Sequence, residues 1–145
     1  MNMQLAWLVD TNVISEMMQP RPVPRVAAFL DSIVNEGLGI SSITIWEILN
    51  GIGNLDPGKR RENLAVRFYA ILDELFEDRI VDWTLSHARE CARIMEEKRR
   101  IGESLDDHVA DAFLVAVASC HGLAVLTRNT AHFRNAGVKI VNPWN

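Results

Sequence analysis

The stretch Leu5-Ala6-Trp7-Leu8-Val9-Asp10-Thr11-Asn12 sets five consecutive apolar residues against three polar ones. A continuous apolar run of that length reads as a strand buried on both faces, and the polar triplet as the turn that ends it. Strands of this kind lie inside parallel sheets, where crossover helices cover both sides. Met1 to Val9 carries no basic flank and no small-residue cleavage site. It therefore reads as the approach to a strand rather than a secretory leader, and the chain is expected to act in the cytoplasm.

The pattern continues outward from there. Pro20, Pro22 and Pro24 interrupt the chain, after which Val26, Phe29, Leu30, Ile33 and Val34 share one helical face up to Gly37. Leu38 to Ile43 predicts a second strand, and Ser42 or Thr44 the cap of a helix through about Ile52. Leu64, Phe68, Ile71, Leu72, Leu75 and Phe76 predict another helix, followed by a short strand over Ile80 to Trp83. Thr84 or Ser86 begins a helix with a basic end that Gly102 closes, and Asp106 to Cys120 predicts the most apolar helix. Leu123 to Leu126 predicts a fourth strand; a polar turn with a brief helix, Thr127 to Arg134, leads to a last strand at Lys139 to Val141. Short apolar strands alternating with helices predict an α/β sandwich around a mainly parallel sheet of four to five strands.

Composition sets limits. At 145 residues, 48% hydrophobic and 23% charged, the chain has the size and balance of a single globular domain over 1–145, with no repeat or linker. The longest apolar run, Ala112 to Ala118, is far below the roughly 20 residues of a membrane span, so no membrane partner is expected. A net charge of -4 argues against coating nucleic acid by bulk electrostatics. Any such contact must be local, with Lys59-Arg60-Arg61 and Lys98-Arg99-Arg100 as candidates or as plain solvated helix faces. Cys91 and Cys120 read as reduced core thiols, and His87, His108 and His121 show no metal-ligand spacing. Trp7, Trp46, Trp83 and Trp144 read as core or dimer interface rather than base-stacking platforms.

The acidic residues carry the chemistry. Asp10 sits where the first strand ends, the edge at which ligands gather in open α/β sheets, although an Asx turn or helix cap would use the same residue. Glu47 lies early in an otherwise apolar helix, either solvated or turned inward. Asp111 is followed directly by seven apolar residues, so its helix has little free surface, and a buried carboxylate needs a partner cation. Asp107, four residues earlier, is expected on the same face, with Asp106 and Asp107 as alternative caps. Together these carboxylates form the all-oxygen cage preferred by Mg²⁺ or Mn²⁺.

Leu8 to Glu16, Ile45-Trp46-Glu47-Ile48 with Gly51-Ile52, Ala110 to Ala116, Leu126 to Phe133, and Val141-Asn142-Pro143-Trp144 follow one another in an order that resembles the PIN-domain ribonucleases, in particular the VapC-type toxins of prokaryotic toxin–antitoxin pairs. The resemblance spans essentially the whole chain and implies the PIN-like three-layer α/β/α sandwich. It implies a metal-dependent endoribonuclease with Asp10, Glu47 and Asp111 at the metal. Thr11, Asn12, Ser15, Thr127, Arg128 and Asn129 would lie near the metal, RNA or scissile phosphate. It further implies a homodimer and a cognate antitoxin that blocks the site. Where many relatives carry a further Asp after Thr127-Arg128-Asn129, this chain has His132, which puts a second metal site in question; Asp107 could compensate. A non-catalytic PIN-like module that binds RNA or a partner protein is the alternative. An Asp10-centred phosphohydrolase is disfavoured, because Asn12 stands where a second Asp is wanted.

Overall fold

In a computed structural model, described over residues 4–145, the chain builds a five-stranded sheet in the order β3-β2-β1-β4-β5, every neighbouring pair parallel. Met1 to Met3, part of the stretch considered for a leader, lie outside the described residues. The strands are β1 (Trp7–Val9), β2 (Leu38–Ser41), β3 (Ile80–Val81), β4 (Ala124–Leu126) and β5 (Ile140–Val141). Between them run α1 (Thr11–Met17), α2 (Pro24–Gly37), α3 (Ser42–Gly53), α4 (Lys59–Leu75), α5 (Leu85–Arg100) and α6 (Val109–His121), with a 3₁₀ turn over Thr130–Phe133. Among the described residues no helix is long and apolar enough to cross a membrane.

Alternation along the strands sorts the core into two layers. Trp7 and Val9 join Leu126 and the helices α1 to α4 on one face, while Leu8 and Val125 pack with α5 and α6 on the other. The result is the expected three-layer sandwich. Helix α6 owes its burial to Ala112 and to Leu114 through Ala118, which leave it almost no polar face. Gly122 closes it in the left-handed conformation at φ 65°.

Several boundaries move. Helix α1 starts at Thr11, so the polar triplet after the first strand is the entry to a helix rather than a free turn. Ser41, not Ser42 or Thr44, caps α3 by accepting the Ile43 N–H at 3.1 Å. Helix α6 begins at Val109, so neither Asp106 nor Asp107 caps it and Asp107 does not share a helical face with Asp111. Asp106 instead meets Arg99 at 2.7 Å and Ser104, and the Arg99 guanidinium draws its carboxyl down to about 2. The second basic triplet is likewise committed: Lys98 is buried against Glu103 and the Arg134 carbonyl, while Arg100 pairs with Glu96. Of the cysteines, Cys91 is buried as expected, whereas Cys120 is exposed.

At the junction of α2 and β2, Gly37 has φ +103° and its carbonyl accepts the Ala6 N–H at 3.0 Å. A Cβ there would fall 2.1 Å from the Gln4 carbonyl oxygen, a backbone atom that cannot yield without breaking this contact. Gly37→Ala is therefore expected to destabilise the fold by about 2–3 kcal/mol in urea unfolding; a change below about 0.5 kcal/mol would show that the junction tolerates a side chain.

Candidate active site

The sheet order reverses between β1 and β4, since the chain lays β2 and β3 to one side before returning to place β4 and β5 on the other. Outside the carboxyl ends of those two strands lies the natural ligand crevice of an open parallel sheet. Asp10 follows β1 and Thr127 follows β4, and they meet across this reversal: the buried Thr127 hydroxyl donates to Asp10 Oδ2 at 2.7 Å.

Asp10 does two jobs that the sequence presented as alternatives. It caps α1, with Oδ1 accepting the Thr11 N–H at 2.7 Å, and it faces an open cleft of about 550 Å³. Asn12 ties the two sides together: its amide donates to Asp10 Oδ2 and to Thr127 Oγ1 at 3.2 Å each, and its Oδ1 accepts the Arg128 N–H at 3.1 Å. Glu47, half-buried on α3, accepts from the Thr11 hydroxyl at 3.4 Å and lines the same cleft. Asp111, in the first turn of α6, lines it from the opposite helical layer. Ser15, Arg128 and Asn129 line it as well.

The electrostatics follow from that convergence. Burial pushes the Asp10 carboxyl above its ordinary value; the Thr127, Thr11 and Asn12 donors hold it back, and the Asp111 charge adds to the rise. Burial likewise raises Glu47, reinforced by the charges of Asp10 and Asp111. An all-oxygen set of three carboxylates, two of them, Asp10 and Glu47, with ionisation disfavoured by burial and by neighbouring charge, fits a hard divalent cation.

Some expected roles change. Thr127 is fully buried and committed to Asp10, so it positions that carboxylate and has no free hydroxyl for phosphate. Asn12 is similarly committed as a tie. Asp107 is exposed in the turn before α6 and does not line the cleft. Trp46 and Trp144 differ from the other tryptophans in use: Trp46 is 62% exposed, and Trp144 lies at the cleft with the Arg128 guanidinium 4.9 Å above its ring. His87 proves a satisfied core residue, capping α5 with Thr84 and reaching the His121 ring at 2.9 Å. His108 lacks a metal-ligand spacing in the sequence, yet it stands three residues before Asp111 and near His132. The i, i+3 relation to Asp111 is the signal in the sequence that points to it.

The family model described as PIN domain matches residues 7–139. The chain is 37% identical over 138 residues to the Toxin FitB of Neisseria gonorrhoeae, covering 95% of this chain and 98% of that one. It is 34% identical over 137 residues to the VapC ribonuclease Y4jK of Sinorhizobium fredii, covering 94% and 96%. The crystal structure of FitAcB from Neisseria gonorrhoeae superposes with a TM-score of 0.86 at 38% identity, over 96% of this chain and 99% of that one.

Glu47→Gln tests the crowding directly. A carboxyl whose folded value is raised contributes stability below its unfolded value and loses it as pH rises through the folded one. In metal-free protein at pH 7 the variant is therefore expected to melt about 1–3 °C higher than the parent by calorimetry, a gap that closes as the pH falls toward the carboxylate range. A lower melting temperature at pH 7 would mean that the Glu47 charge stabilises the metal-free fold.

Proposed function

The chain belongs to the PIN-domain family, and on that premise we propose that it is a metal-dependent endoribonuclease, the toxin of a toxin–antitoxin pair, comprising one PIN unit. The observation that carries this reading is the convergence of Asp10, Glu47 and Asp111 on one open cleft at the reversal of strand order. The choice of RNA is supported by a relative named a ribonuclease, and the toxin role by one named a toxin.

Asp10 and Asp111 would hold Mg²⁺ or Mn²⁺, with Glu47 as a further ligand or as the base that orients the attacking water. A bound cation of this kind lowers the pKa of water and stabilises negative charge on the leaving oxygen of a phosphodiester. Thr127, Thr11 and Asn12 keep the Asp10 oxygens aimed and prevent the carboxylate from turning away. Arg128 and Asn129, exposed and lining the cleft, would pair with the RNA backbone, and the ring of Trp144 limits the directions Arg128 can take. A compact cluster of negative charge also suits an antitoxin that closes the cleft with a cation of its own. A homodimer is proposed on the family resemblance, with the exposed Trp46 as a residue such an interface would cover. Action in the cytoplasm belongs to the same proposal.

Purified protein is expected to cleave RNA with Mg²⁺ or Mn²⁺ and to stop on chelation. Asp10→Asn and Asp111→Asn should each lower the rate at least about 100-fold, with the folded circular-dichroism spectrum intact. Cleavage that survives chelation would remove the metal from the mechanism. Absence of cleavage on any RNA, with RNA or protein binding retained, would make the chain a non-catalytic binding module.

A further inference from the structure

Asp111 also takes part in a second cluster of different chemistry. Its Oδ2 lies 2.8 Å from His132 Nδ1, on the 3₁₀ turn after β4. His132 in turn stacks on His108, with ring centroids 4.1 Å apart and planes at 22°. His108 occupies the N-cap position of α6 without making a side-chain cap, so its ring nitrogens are not engaged with the helix end. One ligand atom from each of the three residues lies within 4.8 Å of the others. His108 and His132 do not line the carboxylate cleft, so the cluster adjoins that cleft through Asp111 alone.

We propose that His108, Asp111 and His132 form a binding site for a borderline divalent cation of the zinc class, distinct in ligand chemistry from the all-oxygen cleft. Two imidazoles and one carboxylate match the three protein ligands of an open zinc site, and the exposure of His108 leaves a fourth position to water. Mg²⁺ is selected against, because it prefers oxygen donors and near-ideal octahedral geometry. A tetrahedral ion with bonds of about 2.0–2.1 Å holds its donors about 3.4 Å apart, so the three atoms need draw in by little more than 1 Å. Face-to-face rings do not aim their in-plane lone pairs at a common point. Binding must therefore turn His108 out of the stack, a motion that its exposed position allows. The competing explanation is that the His132–Asp111 contact merely pins the 3₁₀ turn to α6. The inference does not depend on nuclease activity, since it concerns binding of a metal alone.

The test uses the full chain, freed of metal and titrated with Co²⁺ as a spectroscopic probe and with Zn²⁺ by calorimetry. One equivalent of Co²⁺ is expected to give the visible absorption of a low-coordinate nitrogen–oxygen site, displaced by Zn²⁺ and not by excess Mg²⁺. His108→Ala, at an exposed position that leaves the core untouched, and His132→Ala should each weaken Zn²⁺ binding at least about tenfold. Asp10→Asn and Glu47→Gln should leave it within about threefold. Zn²⁺ binding that is lost in Asp10→Asn but kept in both histidine variants would overturn the proposal by assigning the ion to the carboxylate cleft. Binding weaker than about 100 μM in the parent protein would overturn it in favour of a purely structural contact. A separate failure of Mg²⁺-dependent RNA cleavage would bear only on the nuclease reading.

Discussion

Three carboxyl groups from three helical segments share one cleft, and two of them sit where ionisation is disfavoured both by burial and by the charge of their neighbours. A protein can relieve that conflict by protonating the groups, by surrounding them with donors, or by admitting a cation. Here the donors are concentrated on Asp10, which accepts from Thr11, Asn12 and Thr127. Among the described residues Glu47 has only the long contact from Thr11, and Asp111 meets His132. The residual negative charge is thus uneven around the cleft, an imbalance that the divalent ion of the proposed function would relieve.

The fold supplies the constraint through its topology. A parallel sheet aligns every strand's carboxyl end on one edge, and the reversal of order between β1 and β4 opens a gap there. The bonds from Thr127 and Arg128 to Asp10 and Asn12 cross that gap, so the start of α1 and the turn after β4 are held as one unit. Each helical layer then contributes a carboxylate: α3 brings Glu47 from one side and α6 brings Asp111 from the other. Packing in both core layers fixes the carboxylate geometry, which is why the apolar run after Asp111 is as much a part of the site as the acid itself.

The sheet and the helices were legible because burial on one or both faces leaves a periodic trace in sequence, clearest in Leu5 to Val9 and in Ala112 to Ala118. The same logic located Asp10 and Asp111, since polar residues abutting such runs have few other reasons to be there. What the sequence did not disclose depends on partners distant in the chain. Capping, one of the alternatives open to Asp106, fails because Arg99, seven residues earlier, takes its carboxylate instead. Lys98 looked like a solvated charge until the Arg134 carbonyl and Glu103 were brought against it. Thr127 looked free for phosphate because nothing local shows that its hydroxyl reaches back 117 residues to Asp10. His108 became meaningful only when the turn after β4 carried His132 onto it. Helix starts shifted by one to three residues, as caps compete locally among several polar side chains.

The most direct test of the account is a carbon-detected NMR titration of the side-chain carboxyl groups of Asp10 and Glu47, carried out on metal-free protein and again with saturating Mg²⁺. Crowding without a counter-ion predicts midpoints above the ordinary carboxylate range in the metal-free protein, falling below it once the ion is bound. Midpoints that are ordinary in the free protein and unmoved by Mg²⁺ would contradict it.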